Sequence, residues 1–157
     1  MKKTYVYLAI AAALSVLTAL SPSAQATTYE ITAPCSNDVA AKGEIELPRK
    51  PMSLGAATIL ILERENLPYI GSDRGFNSIL RTPTGDKTLE IISDSEMRSY
   101  GWCYSVNGRI PDELASQFWL RGPEHLRWYY GVATYKEGEW VSFCEPTGPS
   151  TQRRYCR

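Results

Sequence analysis

The segment Tyr100–Gly108, with the sequence YGWCYSVNG, combines a strand pattern with a turn signal. Aromatic and β-branched residues are frequent in its first seven positions, and these residue types favour β-strands. Asn107-Gly108 follows directly, and Asn-Gly is the strongest short-range signal for a two-residue hairpin turn. The sequence therefore predicts that a strand ends at Val106 and that the chain reverses there.

Similar strand patterns occur on both sides of this segment. A first strand is predicted at Thr27–Ala33 and a short second one at Glu44–Leu47, which Pro48 ends. Two hairpins are also predicted. They pair Phe76–Leu80 with Thr88–Ile92 around a turn-rich loop, and Leu126–Tyr135 with Glu139–Phe143 around Lys136-Glu137-Gly138.

One helix interrupts the strands. Ser53 is a typical N-cap residue, and Pro68 forces the residue before it to be extended, so the helix is predicted at Ser53–Asn66. Its apolar residues recur at helical spacing and are expected to pack on one face of a mixed sheet. They are Leu54, Ala57, Ile61 and Leu62. One main helix among several strands indicates the α+β class.

Length and composition limit the remaining choices. The chain has 157 residues, which corresponds to one domain, and its 43% hydrophobic content argues against intrinsic disorder. Lys and Arg number 17, as do Asp and Glu, so no charge excess favours nucleic acid as a partner.

The N-terminal residues resemble a secretory signal peptide. Lys2 and Lys3 precede an apolar run from Tyr5 to Leu20, and Ala24-Gln25-Ala26 provides the small residues of a cleavage site. Residues 1–26 are therefore predicted to be removed, which leaves residues 27–157 as a single domain in the periplasm or, alternatively, secreted. No stable membrane insertion is expected after cleavage, because no later segment is long and apolar enough.

The four cysteines of the mature chain favour two disulfides in an oxidising compartment. Three pairings are open. We favour Cys103 with Cys144, since both lie in strand-like segments, and Cys35 with Cys156, which would join the two ends. Their wide spacing does not fit a zinc site, so neither a metal nor another cofactor is expected.

Eleven of the 17 aromatic residues lie between Tyr100 and Phe143. They pack in the core or border a ligand, and the sequence leaves both interpretations open. The two-residue period of a strand places Trp102 with Tyr104 on one face, and Trp128 with Tyr130 on one face. Tyr129 then lies on the opposite face from Trp128.

A family resemblance rests on three stretches. They are Trp102-x-Tyr104-x-Val106-Asn107-Gly108, Phe118-Trp119-Leu120, and Leu126-Arg127-Trp128-Tyr129-Tyr130. Together they resemble an exported domain family that is named for its similarity to the C-terminal domain of transcobalamin. The resemblance covers about Thr27 to Tyr135 and implies a β-grasp fold, with residues 136–157 as a C-terminal β-hairpin extension.

The sequence also departs from this family pattern. Gly122-Pro123-Glu124-His125 stands where the family has Gly-Asp, and Cys103 lies inside the signature strand. In the transcobalamins the domain helps to cover a corrinoid, whereas most bacterial relatives have no established ligand. The resemblance therefore implies fold and export more strongly than it implies a corrinoid.

Enzyme motifs are not found in this sequence. His125 is the one histidine, without a Gly-x-Ser-x-Gly elbow. Asp112-Glu113 fits a solvated loop, and Gly71–Gly75 lacks the Lys-Ser/Thr pair of a phosphate loop. We therefore expect no enzymatic activity.

Two functions remain from the sequence. The first is a binding domain that holds a small molecule, corrinoid-like or a glycan, on an aromatic surface. Its expected ligand-binding residues are Trp102, Tyr104, Arg127, Trp128, Tyr129 and Tyr130. The alternative is a protein-interaction module, such as an envelope inhibitor or assembly partner, that uses the same aromatic residues.

Overall fold

A six-stranded mixed sheet forms the centre of the fold in a computed structural model that describes residues 26–34, 38–48 and 50–147. This described part contains ten strands, one α-helix and a 3-10 turn at Gly85–Thr88. The strands are β1 Ala26–Thr32, β2 Val39–Glu46, β3 Met52–Ser53, β4 Tyr69–Ser72, β5 Gly75–Ile79, β6 Leu89–Ser93, β7 Glu96–Val106, β8 Trp119–Leu120, β9 His125–Lys136 and β10 Glu139–Pro146, and the helix is α1 Leu54–Arg64.

The strand order in the central sheet is β2-β1-β9-β7-β6, and β10 also pairs with β9. β1 runs parallel to β9, whereas the other pairs of this sheet are antiparallel. β3 with β8 and β4 with β5 form two further two-stranded sheets. The predicted α+β class with one helix and a mixed sheet is confirmed.

The predicted helix is also confirmed. Ser53 is its N-cap, and the Ser53 Oγ accepts a hydrogen bond from the Ala56 N–H at 3.2 Å. The four apolar residues predicted to pack on the sheet are all buried. The helix ends at Arg64, two residues earlier than predicted, and Glu65 and Asn66 form the turn that leads to Pro68.

The last hairpin and the Asn-Gly turn are confirmed. β9 and β10 are joined by Glu137 and Gly138, both at positive φ. Asn107 and Gly108 also have positive φ, of 51° and 77°, as a tight hairpin turn requires. Beyond this turn, however, only Val106 and Arg109 form a β-bridge, and the chain then leaves the strand as a loop.

The predicted hairpin of Phe76–Leu80 with Thr88–Ile92 is wrong. β5 pairs with β4 through a turn at Asp73-Arg74, and β6 pairs with β7 through a turn at Asp94-Ser95. Each of these hairpins closes a shorter loop than the predicted one, and shorter loops lose less conformational entropy on closure. The turn-rich residues between β5 and β6 therefore connect two hairpins.

The second strand is longer than predicted. It covers Val39–Glu46 because β1 offers a partner along its whole length, from Ala26 opposite Glu46 to Thr32 opposite Val39. Four of its first five residues, Ala-Ala-Lys-Gly after Val39, have weak intrinsic strand preference. Pairing across the sheet, rather than local preference, determines where this strand begins.

A disulfide joins Cys103 of β7 to Cys144 of β10, with 5.6 Å between their Cα atoms, so this predicted pair is confirmed. β9 lies between the two bonded strands in the sheet. Cys35 and Cys156 lie outside the described residues, as do residues 1–25 of the predicted signal peptide. The Cys35–Cys156 pair and the cleavage site stay predictions.

None of the helices in the described ranges combines the length and apolar character that crossing a membrane requires.

Candidate functional site

A cleft of about 620 Å³ lies beside β7, on the side of that strand away from β9. Its walls are the β4–β5 hairpin and the loop that follows the Asn-Gly turn. Trp128 of β9 and Cys144 of β10 also line the cleft. The lining residues are Gly71, Ser72, Arg74, Gly75, Phe76, Asn77, Trp102, Cys103, Tyr104, Ile110, Pro111, Glu113, Leu114, Ala115, Trp128 and Cys144.

The edge of β7 that faces this cleft is not paired with another described strand. β6 pairs with β7 only from Glu96 to Ser99, and beyond that point β7 pairs with β9 alone until the bridge of Val106 with Arg109. A central strand thus has one open edge from Gly101 to Ser105. In most sheets such an edge is covered or paired.

Hydrogen bonds at the end of β7 show which backbone groups face the open edge. The Val106 N–H donates to the Arg109 carbonyl at 2.8 Å, away from β9, whereas the Asn107 N–H donates to the His125 carbonyl at 2.9 Å. In an antiparallel pair, successive residues direct their N–H and C=O groups to opposite edges. Since the β7–β9 register contains no bulge, the backbone groups of Trp102 and Tyr104 point away from β9.

Three of the predicted binding residues, Trp102, Tyr104 and Trp128, line this cleft. Trp102 and Trp128 belong to the core, with only 9% and 2% of their surfaces exposed, and Tyr104 is half-buried. The ring centroids of Tyr104 and Trp128 are 5.3 Å apart. The aromatic side chains therefore form the base of the cleft.

Polar partners inside the protein hold the two indoles in place. The Trp102 Nε1–H donates to Thr82 Oγ1 at 2.8 Å, and the Trp128 Nε1–H donates to Thr58 Oγ1 at 3.0 Å. Phe76 contacts Trp128 edge-to-face, with 5.1 Å between their ring centroids. Because a hydrogen bond fixes each indole, the base of the cleft is a rigid aromatic surface.

Tyr104 has an unusual environment. Its hydroxyl donates a hydrogen bond to the backbone carbonyl of Glu113, which ties β7 to the opposite wall. Burial, and to a lesser extent the Glu113 carboxylate, raise the pKa of Tyr104 to about 12. The phenol therefore stays protonated at neutral pH, and its oxygen can still accept a hydrogen bond from a ligand.

The opposite wall of the cleft is apolar and exposed. Ile110 and Leu114 have 49% and 45% of their surfaces exposed, although both are large aliphatic residues. Glu113 adds a negative charge to this wall and Arg74 of the β4–β5 hairpin a positive charge to the other, and neither forms an ion pair with another described residue. The two walls together can contact apolar groups and can bind polar groups of either sign.

The other predicted binding residues lie outside the cleft. Tyr130 is buried in the core and packs edge-to-face on Trp102. Tyr129 and Arg127 lie on the opposite sheet face, where the Tyr129 hydroxyl donates to the Cys144 carbonyl at 2.8 Å. Arg127 pairs with Glu30 at 3.3 Å between Nε and Oε1. The structure thus brings three of the six predicted residues together.

Several cleft residues were not identified from the sequence. The sequence predicts only a strand at Phe76, and Gly71–Gly75 enters the sequence analysis only as a segment that does not fit a phosphate loop. Ile110 and Leu114 did carry a usable signal, because two large aliphatic residues occur in a loop between an Asn-Gly turn and a short strand. Which loop faces β7 depends on tertiary structure that no local pattern encodes.

The cleft contains few titratable side chains. Of the described residues that line it, Glu113 is the only carboxylate, and none is a histidine. His125 lies elsewhere, at the start of β9, with its Nδ1 at 2.9 Å from Thr28 Oγ1. The described part of the chain contains no cluster of three metal-ligating side chains.

A second exposed apolar surface lies on the sheet face away from the helix. It is a row of four residues, one from each of β6, β7, β9 and β10, in which each residue is paired with the next across the sheet. They are Ile91, Met97, Tyr135 and Trp140. Ile91 is 69% exposed, and the Tyr135 and Trp140 rings are 5.4 Å apart. We call these four residues the outer row, and none of them lines the cleft.

Comparison of this chain with protein-family models, with curated proteins and with solved structures finds no match. The resemblance to the transcobalamin C-terminal domain family therefore stays a prediction from the sequence.

Proposed function

We propose that this chain is an exported, non-catalytic binding domain and that the cleft beside β7 is its binding site. One observation carries the proposal: a rigid aromatic base and an exposed apolar wall enclose a volume of about 620 Å³. Small-molecule sites typically enclose roughly 300–1,000 Å³ and combine apolar walls with a few polar groups.

A small molecule with a flat apolar part is the first ligand class. The aromatic base formed by Trp102 and Trp128 favours such a part, and Arg74 and Glu113 are available for its polar groups. Corrinoid-like compounds and glycans are the two kinds that the sequence suggests. A whole corrinoid exceeds this cleft, so only part of such a ligand would enter it.

Export and the β-grasp arrangement are further parts of the proposal. The Cys103–Cys144 disulfide is typical of an oxidising compartment and supports the periplasm, with secretion as the alternative. The β1–β2 hairpin, the parallel pairing of β1 with β9 and the single helix on one face support a β-grasp fold.

The test of this proposal uses a cleft-filling variant. A Cβ at Gly75 meets no atom within 4 Å and Gly75 does not need positive φ, so Gly75→Leu adds a bulky side chain at a cleft-lining position without straining the backbone. Tryptophan fluorescence should follow titration with hydroxocobalamin and with cello-oligosaccharides. Saturable binding of either probe that Gly75→Leu weakens at least about tenfold supports the proposal. Binding that is equal in both proteins contradicts it.

The second candidate function is a protein-interaction module at the same cleft. The open edge of β7 favours it, because unpaired backbone groups on a strand edge bind another polypeptide more readily than a small molecule. Retention of a stoichiometric envelope protein by the wild-type chain, and its loss in Gly75→Leu, would distinguish this function from the first.

A further inference from the structure

Two residues on the open edge of β7 have backbone groups without a strand partner among the described residues. Trp102 and Tyr104 each direct one N–H and one C=O away from β9, and no described strand pairs with them. Four strong hydrogen-bonding groups thus face the cleft in a fixed, flat arrangement. A buried backbone group without a partner is costly, so this edge is bound to water or to a ligand.

We infer that an extended polypeptide segment binds in the cleft as an added strand on this edge. This inference rests on the proposed function, that the cleft is a binding site, and it selects the second candidate function, a protein-interaction module. The ligand's N–H and C=O groups would form the missing bonds to Trp102 and Tyr104. Strand addition of this kind obtains affinity from main-chain bonds and specificity from alternate side chains.

The dimensions of the edge set the length of the bound segment. β6 occupies the same side of β7 up to Ser99, and the Asn107-Gly108 turn closes the other end. Between them lie the five residues from Gly101 to Ser105, which extend over roughly 17 Å at the usual rise of an antiparallel strand. A ligand strand of about five residues would continue the line of β6.

The surroundings of the edge set the chemistry of the segment. Successive side chains of a strand point to opposite faces. On one face they would meet Trp102, Tyr104 and Phe76, and on the other face the Cys103–Cys144 disulfide, all of which line the cleft. Ile110 and Leu114 add exposed apolar area. The segment is therefore uncharged and apolar over its central residues.

The test begins with selection from a random peptide library displayed on phage, against the full mature chain with its disulfide intact. We expect enriched peptides with a run of about five uncharged, mainly apolar residues. Synthetic versions of one enriched peptide, each N-methylated at a single residue of this run, are then compared. Methylation should weaken binding at least about tenfold at alternate residues and much less at the residues between them, because only alternate N–H groups face β7.

Matched variants locate the bound peptide. Gly75→Leu and Leu114→Asp alter the cleft and should weaken peptide binding at least about tenfold. Ile91→Asp makes the same aliphatic-to-acidic change on the exposed outer row and should leave binding unchanged. Circular dichroism spectra and melting curves confirm that each variant is folded.

Three outcomes would overturn the inference: no enrichment, equal effects of N-methylation at every residue, or a loss of binding in Ile91→Asp instead of the cleft variants. If the peptides fail but hydroxocobalamin or cello-oligosaccharides bind in a manner sensitive to Gly75→Leu, the inference is wrong and the proposed function stands. If neither peptides nor these probes bind at the cleft, both are wrong.

Discussion

At the residue scale, Gly131 shows how one missing side chain permits the disulfide. It lies on β9 beneath the bond, and a Cβ there would be 2.9 Å from Cys103 Sγ and 3.3 Å from the Cys144 Cα. Gly101 of β7 is paired with Gly131, and a Cβ at Gly101 would meet no atom within 4 Å. Two facing glycines therefore have different roles.

We predict that Gly131→Ala lowers the free energy of unfolding by about 1–3 kcal/mol, since the disulfide or the backbone must shift to admit the methyl group. Gly101→Ala is the control and should be neutral or slightly stabilising, because alanine reduces the entropy of the unfolded chain. Urea denaturation of both variants measures the difference. Equal effects of the two substitutions would contradict this role of Gly131.

Tyr104 gives a prediction on pH dependence. Its pKa is raised from 10.0 to about 12 in the folded state, so the protonated phenol contributes stability at pH values below 10. That contribution should be lost as the pH rises from about 10 to about 12, and Tyr104→Phe should remove this part of the pH dependence. NMR titration of ¹³Cζ-labelled tyrosine measures the pKa directly. A Tyr104 midpoint close to 10 would disprove the burial argument.

Side-chain faces were predictable from the sequence, but burial was not. The strand period correctly places Trp102 with Tyr104 and sets Tyr129 opposite Trp128, as the β7–β9 register shows. Whether a tryptophan side chain is buried or exposed depends on the residues that pack against it. The partner of the Trp128 indole, Thr58, lies 70 residues away, and no local pattern identifies it.

At the scale of elements, α1 is the clearest case of agreement between sequence and structure. Its cap, its apolar spacing and its end are all local signals, and local signals are readable from a single sequence. The pairing of β5 and β6 is not local, because several turn-rich segments compete to close hairpins. This competition explains why the sequence predicts both strands correctly but pairs them wrongly with each other.

We predict that Ile61→Ala lowers the free energy of unfolding by about 2–5 kcal/mol, because the side chain is fully buried against the sheet. Leu60→Ala, on the exposed side of the same helix, should change it by less than about 0.5 kcal/mol. Chemical denaturation of both variants checks the pair. A loss below about 0.5 kcal/mol for Ile61→Ala would contradict the packing of α1.

The link between β7 and β10 is a second test at this scale. The Cys103–Cys144 disulfide closes a segment with a sequence separation of 41. Replacing both cysteines by alanine should cost about 2–5 kcal/mol, as removal of a native disulfide from a small exported domain usually does. Denaturation of the double variant against the wild type measures this cost. An unchanged free energy of unfolding would show that β10 is held by strand pairing alone.

At the scale of the whole molecule, the fold leaves part of one edge of the central strand β7 unpaired. α1 covers one face, and β9 pairs along the whole length of β7. β6 is too short to cover the other edge of β7, so the edge opens into the cleft between the β4–β5 hairpin and the loop after Gly108. The cleft that we propose as the binding site thus follows from a mismatch in strand length.

Amide hydrogen exchange of β7 in the free protein tests this central claim most directly. If Trp102 and Tyr104 face the cleft without a protein partner, their amides exchange rapidly, whereas those of Cys103 and Ser105, which point to β9, stay protected. Residue-resolved NMR of the oxidised mature chain measures all four amides. An alternating pattern is the predicted result, and protection of all four amides would contradict an open edge.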